Sequence, residues 1–397
     1  MLASGYALCV DVIDWGAAQR VGELVAGSPP YGGVRAASVE PLAHDFARRV
    51  SDYSGLELPS ELPALEAVDR STWIAANLKS MRPLLGELTG SANGFASRSG
   101  PLAGPLRSAS GFFLGAQVGA LTGVLSQRVL GQYDLALLDP TVAPRLLLLA
   151  PNLALTAREL SVDRDELVLW VTIHEITHAV QFSGAPWLRE HLGGMLKELI
   201  AGLRVTMAGG EENGEDAGDE QAGANSKGSR NGAPEAGKNG SANSSTGRDW
   251  LPSLPDPAEL REMVERARRG ELLRLTLGED RWQLVERMQA VMSLIEGHAE
   301  HTMDAIGAEV LPSLPRLRTA LNHRRAAKGL PWRVLERLLG LELKLRQYEV
   351  GRRFCDAVVN EGGPPALARA WSGPEALPST AELAEPSLWL ARMQLAI

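Results

Sequence analysis

Two histidines four residues apart, His174 and His178, flank Glu175 in the segment RDELVLWVTIHEITHAVQFSGAP. A four-residue step on a helix returns to the same face, so both imidazoles can occupy adjacent corners of a tetrahedral zinc site. Glu175 is too close in sequence to be a third ligand from that face. In an H-E-x-x-H arrangement its carboxylate can instead reach a water on the metal and take its proton. The chemistry expected is hydrolysis with Zn2+ as cofactor and Glu175 as general base. The bland alternative, a set of hydrogen-bonded core residues, must bury two histidines and a glutamate without a metal, which is costly.

A third protein ligand is needed, and SLIEGHAEHTMD, over a hundred residues downstream, offers Glu296 and Glu300 on one helical face. Glu296 is the expected ligand, with Glu300 hydrogen-bonding a ligating imidazole and fixing its tautomer. Ala299, small and nearly on that face, lets the second helix approach the first. Rivals for the third position are Glu300 with Asp304 behind it, His298 and His301. His298 lies two residues from Glu296 and so points about 200° away around an ideal helix. An oxyanion stabiliser is also expected; Tyr348 is the leading candidate, with Arg346, His301 and His323 as other sources.

H-E-x-x-H followed on a later helix by E-x-x-A-[D/E] resembles the glutamate-type zincin metallopeptidases, and Glu296, Ala299 and Glu300 match that second element. Further segments, among them DWGAAQRVG, STWIAANLKSM, VLGQYDLALL, APNL, EGHAEHTMD and GLELKLRQYEVGRRF, are similar to a bacterial family of zincin-like hydrolases found especially in actinobacteria. The likeness spans nearly the whole chain outside one insertion. Some family members carry a label linking them to biosynthesis of a deazaflavin coenzyme, which implies no reaction. The resemblance implies a zinc-dependent metallohydrolase, most simply a peptidase with a peptide or protein substrate. Glu at position 300, where the thermolysin-like group usually has Asp, is a departure from the pattern.

The elements that position these residues are mostly helical. Apolar residues recur at three- and four-residue spacing in VERMQAVMSLIEGHAEHTMDAI, in WRVLERLLGLELKLRQYEVGRRFCDAVV and in WLREHLGGMLKELIAGLRVTMA. Asp163 with Glu166 has the form of a capping box opening the metal helix, and Ser183, Gly184 and Pro186 close it. Two short apolar runs just before that helix, DLALLDP ending at Pro140 and RLLLLAPN ending at Asn152, read as strands of a small sheet. The fold expected is mainly α (α+β): a zincin-like helical catalytic core with a small β-sheet before the metal-binding helix. An N-terminal helical region covers 1–100 and a catalytic region 101–397. The latter is interrupted by 209–247, which lacks aromatic residues and Leu, Ile, Val and Met and reads as a disordered insertion on which nothing catalytic depends.

With 397 residues, 45% of them hydrophobic, the chain can bury a large core. A net charge of -8 argues against a nucleic-acid partner. Its two cysteines, Cys9 and Cys355, form neither a metal-ligand spacing nor a disulfide framework. The first residues hold no Lys or Arg and no clean apolar run, so a cytoplasmic location is the default. The apolar stretch from Gly111 to Ser126 falls short of the ~20 residues a membrane span needs. With glycine at every fourth position it reads as a buried helix against a close neighbour, without stable membrane insertion. Two competing functions remain: a catalytically silent zincin-like binding or scaffold protein, and a membrane-associated helical protein using 111–126. The oligomeric state is open.

Overall fold

The computed structural model describes residues 12–28, 40–89, 103–139, 141–215, 278–326 and 341–394. Its elements run α1 (Trp15–Ala26), α2 (Glu40–Ser54), β1 (Leu65–Val68), α3 (Arg70–Thr89), α4 (Ala103–Ser126), β2 (Gly131–Asp134), β3 (Arg145–Leu149) and α5 (Ala150–Leu160). There follow α6 (Arg164–Gly184), α7 (Trp187–Glu215), α8 (Glu279–Val310), α9 (Leu314–Ala326) and α10 (Leu341–Ala368), and then two short helices, α11 (Thr380–Ala384) and α12 (Pro386–Arg392). The protein is mainly helical around one small sheet, as its sequence patterning predicts.

That sheet has the order β1-β3-β2, with β1 parallel and β2 antiparallel to the central β3. β3 reads RLLLL without polar alternation because both of its faces are covered. Leu146 and Leu148 enter the larger core, and Leu147 and Leu149 enter a smaller one with Ala18, Trp73, Ile74 and Leu78. The four leucines are all fully buried. The sheet crosses position 100: β1 before it pairs with β3 after it, and α2 packs on α6.

The strand expected in DLALLDP is displaced. β2 is the preceding GQYD, and Leu135–Leu138 form the turn that follows. The leucine run imitates a buried strand in composition, but the antiparallel register places Gly131 to Asp134 opposite Leu148 to Arg145. β1, LEAV, was absent from the expectation because four residues within a helical region carry no distinguishable period.

Helix α4 packs parallel to α1 along its glycine stripe. A Cβ at Gly111, Gly115 or Gly119 would meet the carbonyl oxygen of Val12, Asp14 or Ala18. The opposite face is more open than expected. Phe112 and Phe113 are exposed, and only 28% of the segment Ser108–Ser126 is buried. Among the described residues this is the one helix long and apolar enough to cross a membrane.

Below that pair, Asn152 of α5 is a buried hub. Its oxygen accepts from Arg70 Nε at 2.8 Å, and its nitrogen donates to the Ser126 carbonyl at 2.7 Å and the Val129 carbonyl at 2.6 Å. Arg70 also donates to the carbonyl of Ala26 at 2.5 Å. α1, α3 and the end of α4 are thereby tied to α5.

The two helices that matter chemically are α6 and α8. α6 is buried almost all round, from Leu167 to Gln181, as a helix apolar on most sides must be. Asp163 caps it, accepting from Glu166 N at 2.9 Å, but the second half of the expected capping box is missing. The Glu166 carboxylate accepts from Ser313 instead, anchoring the turn between α8 and α9. α8 meets α10 at Gly297 and Gly351, where a Cβ on either would collide with the other helix's backbone. α7 continues to Glu215, into the first residues of the segment expected to be an insertion. The remainder of it, 216–247, lies outside the described residues.

Candidate metal centre

His174 and His178 leave the same face of α6, and Glu296 reaches them from α8. The two Nε2 atoms lie 3.2 Å apart, and Glu296 Oε2 is 3.6 Å from each. These are the residues that the structure brings together as a His-His-Glu group. A tetrahedral zinc with bonds of about 2.0–2.1 Å would set its ligand atoms roughly 3.3 Å apart, so the spacing and donor types fit that ion. The side chains of His174, His178 and Glu296 keep 17%, 10% and 18% of their surface exposed.

Burial works against a charge on Glu296, but its contacts with His174 and then His178 outweigh it and hold the carboxyl well below the usual carboxylate range. His178 answers in the opposite sense. Burial lowers its basicity, yet Glu296, then Glu175 and Gln181, raise its pKa to about 9. Two imidazole nitrogens and one carboxylate oxygen, none more than 3.6 Å from another, could hold a cation between them.

Glu175 is buried beside the pair. Burial raises its pKa, while His174, His178 and a hydrogen bond from the Tyr133 backbone N–H pull the other way. The raised value suits a group that must take and return a proton. Tyr133 belongs to β2, which passes directly over α6. A Cβ on Gly131 would lie 2.5 Å from Val171 Cγ1 and 2.7 Å from Glu175 Oε1, so glycine there is what lets the strand come down to the carboxylate. The Tyr133 ring packs on Phe182, and burial pushes its phenol up to about 12.

The imidazoles are held differently. His174 stacks beside Trp170, with ring centroids 6.3 Å apart and planes within 10°, and its buried Nδ1 has no hydrogen-bond partner. His178 Nδ1 lies 2.8 Å from Gln181 Oε1. Gln181 Nε2 in turn lies 2.9 Å from the Ile295 carbonyl and 2.8 Å from His298 Nδ1. The place assigned to Glu300 is therefore Gln181's. One helical turn beyond His178, Gln181 can reach its ring from the same helix, whereas Glu300 is buried a turn further along α8, close enough to Asp304 to raise that carboxyl. Gln181 was not anticipated, although a polar residue on the ligand face of an apolar helix is a signal, because a buried amide needs partners.

The other candidates separate. His298 is buried, one hydrogen bond behind the ligand, with its ring edge-on to Trp371 at 5.0 Å. His301 is engaged elsewhere, 2.7 Å from the Tyr53 hydroxyl and 2.6 Å from Asp356. Asp304 lies near Glu300 and pairs with Arg318 and with Arg352, the latter at 3.0 Å. His323 is exposed on α9. The side chains of Tyr348 and Arg346 lie outside the described residues.

Helix-borne H-E-x-x-H histidines, a glutamate from a second helix and a small sheet whose edge touches Glu175 point to the zincin class of metallopeptidases. The zincin-like metallopeptidase profile matches residues 13–390, and the chain belongs to that family. The family implies a metal ion, usually zinc. The chain is also similar to a crystal structure of a candidate hydrolase of novel fold from Chloroflexus aurantiacus. The identity is 25% and the TM-score 0.63, over 96% of this chain and 99% of that one. No curated protein matches the chain.

Proposed function

We propose that the protein is a zinc-dependent peptidase in which His174, His178 and Glu296 hold the metal and Glu175 is the general base. The observation that carries this reading is the convergence of two imidazole nitrogens and one carboxylate oxygen within 3.6 Å, with a further buried carboxylate alongside that is not needed as a ligand. Zinc in such a site polarises a carbonyl and makes a water more acidic. Glu175 would take a proton from the attacking water as its oxygen adds to the carbonyl carbon, and would return that proton to the amine nitrogen as the C–N bond breaks. The raised pKa of Glu175 makes its carboxylate a stronger base toward the water's proton than an exposed carboxylate would be.

A peptide substrate is favoured by the position of β2. It is an edge strand among the described residues, and its outward Tyr133 N–H already points to Glu175. An extended peptide laid along that edge would run beside the catalytic carboxylate, with main-chain hydrogen bonds supplying affinity.

A peptide-library cleavage assay on wild type and Glu175→Gln tests the proposal. Wild type should cleave, and the amide variant should keep its metal while losing activity by about 10²–10⁴-fold, the usual worth of a general base. Undiminished cleavage by Glu175→Gln would refute the assigned role.

A further inference from the structure

We propose that Gln181 is a positioning residue that fixes the tautomer of His178 and ties α6 to α8 at the ligands; this rests on the metal-site reading above. The argument starts from a group with no choice. The Ile295 carbonyl can only accept, so the Gln181 atom 2.9 Å away must be the nitrogen. That sets the amide orientation and turns Oε1 toward His178 Nδ1, 2.8 Å away. An amide oxygen can only accept. Nδ1 of His178 must therefore carry a hydrogen, which leaves Nε2 as the nitrogen whose lone pair faces His174 and Glu296.

The second N–H of Gln181 removes the remaining freedom. It points at His298 Nδ1, 2.8 Å away, which must accept because an amide nitrogen offers only hydrogens. A flipped amide would set oxygen against the Ile295 carbonyl, a repulsion at a fully buried site. His298 itself packs nearly perpendicular to the ring of Trp371, whose carbonyl accepts from Trp187 Nε1 at 3.0 Å. The chain of support thus runs from Trp371 at the C-terminal end of the fold through His298 and Gln181 to His178.

Ile295 immediately precedes Glu296 in sequence. The hydrogen bond from Gln181 to its carbonyl therefore fixes the height of the third ligand relative to the two histidines. One side chain sets both the chemical form of one ligand and the distance to another. His174, with no partner at Nδ1, has no comparable device.

The test uses the full chain and nitrogen-15 NMR of the imidazoles, followed with pH until the His178 ring is neutral. In metal-free wild type His178 should be the Nδ1–H tautomer, opposite to the preference of a free histidine side chain. Gln181→Met keeps the volume but neither donates nor accepts a hydrogen bond of comparable strength. It should release His178 to the Nε2–H form and weaken zinc binding, read by chelator competition, about ten- to a hundredfold. Gln181→Glu keeps the acceptor for His178 and should retain the Nδ1–H tautomer and recover most of the zinc affinity, while losing stability with Gln181→Met. A purely structural role would lower stability in both variants without changing the tautomer.

Wild type in the Nε2–H form, or Gln181→Met binding zinc within about twofold of wild type, would overturn the proposal. The wild-type spectrum decides even if a variant does not fold. Absence of zinc binding by wild type would instead count against the proposed function, with the tautomer still reporting on Gln181.

Discussion

Asn152 and Gln181 are both fully buried side-chain amides, and each uses one oxygen and two N–H groups on three partners. Their local chemistry is nearly the same. Asn152 joins a guanidinium and two main-chain carbonyls, so its bonds end in the scaffold. Gln181 joins a ligand imidazole, the carbonyl beside the ligand glutamate and a second histidine. The comparison teaches that satisfying a buried amide does not identify its role; what its partners do next decides it. The hub at Asn152 should govern whether α1, α3 and α4 stay docked, and the hub at Gln181 whether the metal site keeps its geometry.

The largest effect on stability is expected at Asn152. Asn152→Ala strands two carbonyls and deprives the buried Arg70 of a partner, at a cost of about 3–5 kcal/mol. Zinc affinity of the folded fraction should not change. Urea denaturation with chelator competition on the same samples checks both. If Asn152→Ala and Gln181→Met lost zinc affinity in proportion to stability, the distinction between the two hubs would be lost.

A smaller effect separates the hubs by pH. In metal-free protein His178 has a pKa raised from 6.5 to about 9, so its stabilising charge is fully present below 6.5 and is lost as pH rises through about 9. Glu296 is depressed from 4.5, so its contribution is present above 4.5 and is lost as pH falls below it. Metal-free protein should therefore be most stable, as far as this pair is concerned, between pH 4.5 and 6.5. Zinc must displace the proton from His178, so its affinity should rise roughly tenfold per pH unit up to about pH 9 and then level off. Asn152→Ala should keep that slope, whereas a pH-independent zinc affinity would contradict the proton assignment.

The sequence discloses these hubs unequally. The pairing of His174 with His178 and the helix that carries them are local facts, visible from a four-residue step and an Asp163 cap. Glu296 was reachable because a two-histidine site needs a carboxylate and SLIEGHAEHTMD offers one on a helical face. Gln181 was hidden because its significance lies across space, in the Ile295 carbonyl and His298. Glu300 was given its place because helical spacing does not say how far α8 slides along α6, a quantity that packing at Gly297 and Gly351 helps to set. β2 was misplaced for a similar reason. Strand pairing and the close pass of Gly131 over Glu175 selected GQYD, while the apolar run beside it had the stronger local signal.

The least perturbing comparison is Tyr53→Phe. Tyr53 and Asp356 hold His301 outside the metal group, so removing that hydroxyl should cost about 1 kcal/mol of stability. Zinc affinity and the His178 tautomer should remain as in wild type, read by the same competition and NMR measurements. A change in either would connect the His301 network to the site after all.

The central claim is that two histidines and one glutamate make a zinc site, and elemental mass spectrometry of the purified, zinc-reconstituted protein tests it most directly. The account predicts about one zinc per chain in wild type and loss of tightly held zinc in Glu296→Ala, because the remaining two imidazoles cannot complete the site. Wild type with less than about a tenth of an equivalent, or Glu296→Ala retaining a full one, would contradict it.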